Sequence, residues 1–395
     1  MLLKMYRKTY KFRLYPTKSQ ETKLIFTLNT CRHLYNNSLE ERIHNAKINK
    51  IYREFQVFPW GKQKWVSIYD QQKTLARNKT EYQKQAYAQI LIDVLRRLDK
   101  TYKSFYRGNG YPRFQGKNRY DSFTYPQHGF KIEGNKLKLS KIGLIKIKQH
   151  REIEGKIKTC TIKRGVDHWY VSFSVEIDKE IEHTKGDCEI GIDVGLKELL
   201  TLSNGQKISP QKFYRKSENK IRTANKSLHR KKKGSNNRNK QRVKAGRAHR
   251  KIRNQRKDFN HKTSRILVNT YDKIAFEKLQ IQNMVKNKHL SKSINDVGWY
   301  QLIEMTKCKA EWAGKVVVLV NPHNTTQLCS RCGEYVKKSL SVRVHKCPNC
   351  GLVLDRDHNA AINILNKVGR DTPELTSVEM INRSSLKQKT ITSYI

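Results

Sequence analysis

Acidic residues are scarce in this chain. Only 34 Asp and Glu stand against 82 Lys and Arg in 395 residues, a formal charge of +48. A chain so charged repels itself, which points to a polyanionic partner. Long apolar runs are missing too. No stretch approaches eighteen apolar residues, so no transmembrane helix is expected. The opening MLLKMYRKTYKFRLYPT has too short an apolar run for a signal peptide. There is neither an amphipathic basic helix nor a lipidation signal to favour a membrane surface. Basic residues run through the whole chain instead, so nucleic acid is the expected partner and a membrane is not. No internal repeat recurs at a fixed period, which argues against a solenoid. The length allows two to four domains.

Of the 8 cysteines, Cys31, Cys160, Cys188 and Cys308 are isolated among apolar or mixed residues. They are expected to be reduced, buried small side chains. A reducing cytoplasmic compartment fits all eight.

The apolar period changes along the chain. Residues 5–15 alternate basic and apolar, as a first strand does. Thr17 with Gln20 makes a capping box, and Leu24, Leu28, Cys31 and Tyr35 follow at helical spacing. Residues 65–107 read as helix again, with Ala86, Ile90, Ile92, Val94 and Leu95 on a broad apolar face. The stretch RGNGYPRFQGKNRY (107–120) is a basic, aromatic, Gly- and Pro-containing loop. From 121 to 182 the period becomes two. Val171, Phe173, Val175 and Ile177 share one strand face, and KLKLSKIGLIKIK (136–148) reads the same way. Residues 189–208 suggest a buried strand, a bend and a second strand turning at Ser203-Asn204-Gly205. Residues 213–270 suggest two basic helices broken near 231–240. KIAFEKL (273–279) is a short buried strand. A helix around Trp299–Trp312 and the strand KVVVLV (315–320) follow. Residues 369–395 lose periodicity and are expected to be disordered.

CSRCG (329–333) and CPNCG (347–351) are two CxxC knuckles. Such a pair presents Cys329, Cys332, Cys347 and Cys350 to one tetrahedral Zn²⁺. Four thiolates leave no open position, so this zinc is structural. The glycine after each pair lets the turn go left-handed. His345, two residues before Cys347, is expected to face solvent or nucleic acid, with replacement of a zinc ligand the alternative.

Three of the scarce acids sit in apolar settings. Asp193 lies within IGIDVG, Glu277 ends IAFE, and Asp357 follows LVLDR ahead of the helical NAAINIL. A carboxylate in such surroundings is costly unless it is paired or holds a cation. Taken singly, Asp357 with neighbouring Asp355 has a plain alternative as a helix cap, and Glu277 as the partner of a lysine. Taken together, three carboxylates around two Mg²⁺ ions form the standard apparatus for cutting phosphodiesters.

The order GIDVG, IAFEKL, CxxC…CxxC, DRDHNAAINIL resembles TnpB, the OrfB family of IS200/IS605-class transposons. The YKFRLYPT opening, the CRHLYNNSL helix and NPHNTTQLCSRCG resemble that family as well, so the likeness runs over residues 5 to 368. It implies an α/β fold: an RNase H-like (RuvC) nuclease domain with an inserted four-Cys zinc ribbon, preceded by a small β-barrel-like domain carrying a helical insertion. The implied layout is 1–15, first strand of the β-domain; 16–110, a helical recognition domain; 111–184, a β-rich wedge-like domain; 185–322, the first part of the nuclease with a basic hairpin at 213–270; 323–352, the zinc ribbon; 353–368, the rest of the nuclease; and 369–395, the tail. The likeness assigns the catalytic, Mg²⁺-holding role to Asp193, Glu277 and Asp357, with Asp193 bridging both ions and Asp355 the alternative to Asp357. It implies a guide RNA from the transposon end, a double-stranded DNA target beside a short motif, and action in the cytoplasm at the nucleoid. One molecule per guide RNA is the expected stoichiometry, with a dimer the alternative. Residues 215–257 would line an RNA–DNA channel. Lys4 through Arg13 and RGNGYPRF are further candidates for RNA contact. The rival readings are a transposase that joins DNA ends and a guided repressor that does not cut.

Overall fold

A computed structural model describes residues 4–55, 64–179, 186, 188–339 and 341–368. The expected disordered tail at 369–395 and the expected boundary at 184–185 lie outside the described residues. The chain divides into two compact units, Met1–Glu180 and Ile181–Ile395.

In the first unit, β1 (Lys4–Tyr15) buries Tyr10, Phe12 and Leu14 and turns Arg7, Thr9 and Lys11 outward. The strand alternates because successive side chains leave opposite faces. The Thr17 capping box forms as expected. The Gln20 amide donates to Thr17 Oγ1 (3.3 Å), and the Thr17 amide donates to Gln20 Oε1 (3.0 Å). It starts α1 (Lys18–Glu54), whose Leu24, Leu28, Cys31 and Tyr35 are buried. The helix expected over 65–107 is three: α2 (Ile68–Arg77), α3 (Glu81–Lys84) and α4 (Ala88–Phe105). Ser67 and Thr80 each form a capping box, and such side chains favour helix starts over helix interiors.

The strands are β2 (Ser122–Tyr125), β3 (Phe130–Glu133), β4 (Lys136–Leu139), β5 (Gly143–Lys148), β6 (Lys156–Arg164) and β7 (Trp169–Lys179). With β1 they form a seven-stranded antiparallel sheet, in the order β2-β6-β7-β1-β5-β4-β3. Its edges approach each other: Tyr125, on β2, meets the Phe130 ring of β3 and donates to the Ser140 carbonyl (3.0 Å). The single strand expected over 136–148 is a hairpin. Lys141, between β4 and β5, has φ 67°, and Gly143, which opens β5, has φ 108°, so the chain reverses there. Helices and sheet share one core, in which Leu24, Leu95, Phe123 and Phe173 meet. Each such side chain contributes about 1.5–3 kcal/mol through burial.

The second unit begins with β8 (Glu189–Val194), β9 (Leu200–Leu202) and β10 (Lys207–Ile208). The basic helices α5 (Phe213–His229) and α6 (Asn236–Thr270) follow, broken where expected. Next come β11 (Lys273–Glu277), α7 (Ile281–Met284), α8 (Ser291–Val297), α9 (Trp299–Trp312) and β12 (Val316–Val320). The five strands run β10-β9-β8-β11-β12, with β8, β11 and β12 parallel and β9 and β10 antiparallel. A small hairpin, β13 (Val344–Lys346) with β14 (Val353–Asp355), leads into α10 (Arg356–Lys367).

The expected burial of the isolated cysteines holds for Cys31 and Cys160 only. Cys188 and Cys308 are exposed. Cys188 stands just ahead of β8, and Cys308 lies on the face of α9 opposite the buried Leu302, Ile303 and Ala310.

Candidate active site and metal centre

The two CxxC knuckles converge. Cys329, Cys332, Cys347 and Cys350 bring their sulfurs within 4.8 Å of one another. Cys329 and Cys350 are 3.5 Å apart, as are Cys332 and Cys347, and all are free thiols. A Zn–S bond of ~2.3 Å sets tetrahedral sulfurs about 3.8 Å apart, so the donor set fits zinc. Both knuckles close alike. The Gly333 amide donates to the Cys329 carbonyl (3.0 Å), and the Gly351 amide to the Cys347 carbonyl (3.1 Å). Both glycines have positive φ. His345 departs from expectation. It is fully buried on β13, and its Nδ1 meets Lys338 Nζ, because the strand's alternation turns it inward while Val344 and Lys346 face out.

Asp193 and Glu277 sit at the carboxyl ends of adjacent parallel strands. Residues of β8 and β11 pair at an offset of 84 up to Ile192–Phe276, so the next step along both strands brings Asp193 and Glu277 side by side. In open α/β sheets that edge, where the strand order reverses about a central strand, is where ligands bind. Asp357 comes from the first turn of α10, which packs across β8. Gly191 permits the approach: a Cβ there would lie 2.1 Å from the Ala361 carbonyl oxygen.

Asp193 feels both of the other acids. Burial first, then the charges of Glu277 and Asp357, push the Asp193 carboxyl up to about 8. Burial also raises Glu277, against the opposing effects of Thr325 and Lys367. Asp193 is half-buried and Glu277 buried. The carboxylates are not in contact as a trio. Among the described residues, only the cysteines gather three or more candidate ligand atoms within 4.8 Å.

Asp355 and Asp357 have different surroundings. Asp355 N-caps α10, accepting from the Asp357 (3.0 Å) and His358 (3.2 Å) amides, and it pairs with Lys207 (3.0 Å). Burial raises its carboxyl, but Lys207 and the helix amides outweigh that and hold it below its ordinary value. Asp357 instead reaches the group around Asp193 and is flanked by Arg356 (3.0 Å) and Arg343 (3.5 Å).

Several residues that matter here were not singled out in the sequence. The Thr325 hydroxyl donates to the Glu277 carboxylate. Asn359 and Asn363, both buried on α10, hold the segment between Thr325 and the first knuckle. Asn363 Nδ2 donates to the Thr325 (2.9 Å) and Leu328 (2.7 Å) carbonyls. Asn359 Nδ2 donates to the Leu328 carbonyl (2.8 Å), and its Oδ1 accepts from the Ser330 amide (2.9 Å). Their i, i+4 spacing in HNAAIN was the available signal, since it puts both on one helix face.

Comparison with known proteins places this arrangement. The OrfB-IS605 family, described as a probable transposase, matches residues 172–288. A Cas12f1-like TNB domain matches 299–364, and a helix-turn-helix domain matches 5–50. Here residues 5–50 form a strand and one unbroken helix rather than two helices. The chain is 30% identical over 378 residues to the putative RNA-guided DNA endonuclease InsQ of Escherichia coli K12, covering 90% of this chain and 91% of that one. It is 32% identical over 380 residues to a putative RNA-guided DNA endonuclease of Streptomyces pristinaespiralis, covering 92% and 90%. Its fold is similar to that of Cas12f1 solved with sgRNA and target DNA, with TM-score 0.56, 15% identity, and coverage of 92% of this chain and 99% of that one. The chain belongs to the TnpB (OrfB) family of IS605-type transposon proteins.

Proposed function

We propose that this protein is a transposon-encoded, RNA-guided DNA endonuclease, that its second unit is an RNase H-like (RuvC) nuclease, and that Asp193, Glu277 and Asp357 are its catalytic residues. One observation carries this reading: in a chain of charge +48, Asp193 and Glu277 come to the carboxyl edge of a mixed sheet side by side, and the charges of Glu277 and Asp357 both raise the Asp193 carboxyl. Carboxylates gathered in partly buried surroundings are unfavourable unless cations compensate them: Arg343 and Arg356 flank Asp357, whereas burial raises Asp193 and Glu277.

The donors fit Mg²⁺, being hard carboxylate oxygens with no thiolate among them. Spacing wider than a single-ion cage suits a two-ion site, whose ions lie ~3.5–4 Å apart. When bound, the ions would supply an activated water and charge compensation at the leaving oxygen. The chain's own residues arrange the rest. Asp193 stands between the other two acids in its interactions. Thr325 orients Glu277, and the Asp355 cap fixes the first turn that carries Asp357. The four cysteines would hold zinc, which when bound would fasten the segment next to Thr325 with no open position left for hydrolysis.

Guide RNA and duplex DNA account for the charge, since an RNA–DNA hybrid is gripped by its backbone while pairing reads sequence. The basic helices α5 and α6, over 215–257, line that channel in this reading. The first unit's sheet and helices serve as the wedge-like and recognition parts, with one molecule per guide. The test is cleavage by the purified protein–guide complex in Mg²⁺. Asp193→Ala is expected to retain guide and target binding and to lose cutting. A wild-type complex that binds its matched target without breaking it would refute the reading. The family's description as a probable transposase favours a second reading, strand transfer, and joined DNA products in the same assay would establish it.

A further inference from the structure

Resting on that nucleic-acid reading, we infer that the end of α4 and the loop after it form a stacking platform for an unpaired nucleotide. Four aromatic rings meet there. Tyr102 and Tyr111 pack edge to face (5.8 Å), as do Phe105 and Tyr111 (5.1 Å), and Tyr106 leans on Phe105 (5.5 Å). The base of the cluster is fixed. Tyr102 is buried beneath the Arg42 guanidinium (5.1 Å), and its hydroxyl meets that of Tyr111 (3.2 Å).

The top of the cluster is open. Tyr106 is 76% exposed, Tyr111 44%, and Phe114, three residues further along the loop, 54%. Exposing this much aromatic surface along one short segment marks an interaction site. The loop is also held in place, because Asn36 and Gln115 exchange hydrogen bonds: the Gln115 amide donates to Asn36 Oδ1 (2.8 Å), and Asn36 Nδ2 donates to the Gln115 carbonyl (3.1 Å). The rings are therefore presented ready-made, and little ordering cost attends binding.

Charge selects the occupant. Residues 103–119 contain no acid. Arg107, Arg113, Lys117 and Arg119 are exposed and form no ion pair among the described residues. Exposed aromatics interleaved with unpaired cations match a flat base joined to a phosphate. Every base has a face to stack, so such a platform reads no sequence. An apolar protein surface would leave the four cations uncompensated.

The test uses the full protein with Tyr106→Ala and Phe114→Ala, singly and together. Both side chains lie outside the Arg42–Tyr102 base, and an unchanged melting temperature confirms the fold. Binding is measured to single-stranded RNA and single-stranded DNA of one sequence, each carrying a fluorescent adenine analogue whose emission is quenched by stacking. Stronger quenching in the RNA arm assigns the site to the guide, and in the DNA arm to an opened target strand. The double variant is expected to lose quenching and to bind about tenfold or more weakly, while Tyr106→Phe binds as wild type. Unchanged affinity and quenching in both arms would overturn the proposal, as would a Tyr106→Phe loss equal to that of alanine. Cleavage chemistry is not read in this experiment, so its failure is separable from a failure of the nuclease reading.

Discussion

Replacing Gly191 with alanine tests whether the site is built by the close packing of α10 on β8. The added Cβ would stand 2.1 Å from the Ala361 carbonyl oxygen, 2.7 Å from the Leu365 nitrogen and 2.9 Å from the Leu365 Cβ. The first two are backbone atoms, so no side chain can swing aside. Restoring ordinary contact requires helix and strand to part by roughly an ångström. Overpacking of this kind costs about 1–3 kcal/mol, and a unit this size loses about 2–4 °C in Tm per kcal/mol. Activity is expected to suffer more. Asp357 rides on the first turn of α10, whereas Asp193 and Glu277 belong to the sheet. Displacing one acid by an ångström relative to the other two costs on the order of 10²-fold in rate. The assay is single-turnover cleavage by the saturated guide complex, run beside a thermal melt. A Gly191→Ala protein that cuts at the wild-type rate and melts at the wild-type temperature would refute this account of the site's construction.

Two further outcomes follow from the same geometry. The Asp193 carboxyl, raised from 3.8 to about 8 by burial and by Glu277 and Asp357, keeps its proton in the folded chain after the unfolded chain has lost it. Ionising it therefore destabilises the protein progressively as pH climbs through that window. Without Mg²⁺, Asp193→Asn should melt above wild type at pH 9, with the gap vanishing near pH 4 and narrowing when Mg²⁺ is added. Melts that differ equally at both pH values would contradict the coupling. At the cysteines, Cys332→Ser should weaken zinc retention and slow cleavage by at least about tenfold, because the first knuckle and the Thr325–Glu277 contact are held by the same two asparagines. Full cutting by zinc-free protein would sever that link.

Legibility in the sequence followed how local each determinant is. The capping box at Thr17 and the alternation along β7 rest on residues within a few positions of one another, and both formed as expected. The CxxC knuckles are equally local, and they needed only to meet each other. Failures arose where a local pattern was ambiguous. KLKLSKIGLIKIK resumes the same alternation after SKIG, so the ends alone did not separate one strand from two; the turn at Lys141 and Gly143, both with positive φ, decided it. Cys188 and Cys308 have apolar or mixed neighbours in sequence, but which side of an element meets a core is fixed by distant partners.

The acids lie between these cases. That Asp193, Glu277 and Asp357 were out of place could be read from their apolar neighbours. What brings them into one region could not, because it depends on parallel register between strands 84 residues apart and on a glycine that leaves room for a helix. The asparagines of α10 show the same division. HNAAIN announces a helix face, but the carbonyls of Thr325 and Leu328 that it grips come from a loop some thirty residues upstream. Those backbone groups would otherwise be buried without partners, at about 1–3 kcal/mol each. Polar side chains on the buried face of a helix are therefore a trace of tertiary structure in the sequence: they show that a loop must be held and leave its identity open. In this chain the loop they hold joins the metal knuckle to Glu277's partner Thr325, so two buried asparagines of α10 help fix the geometry of both centres at once.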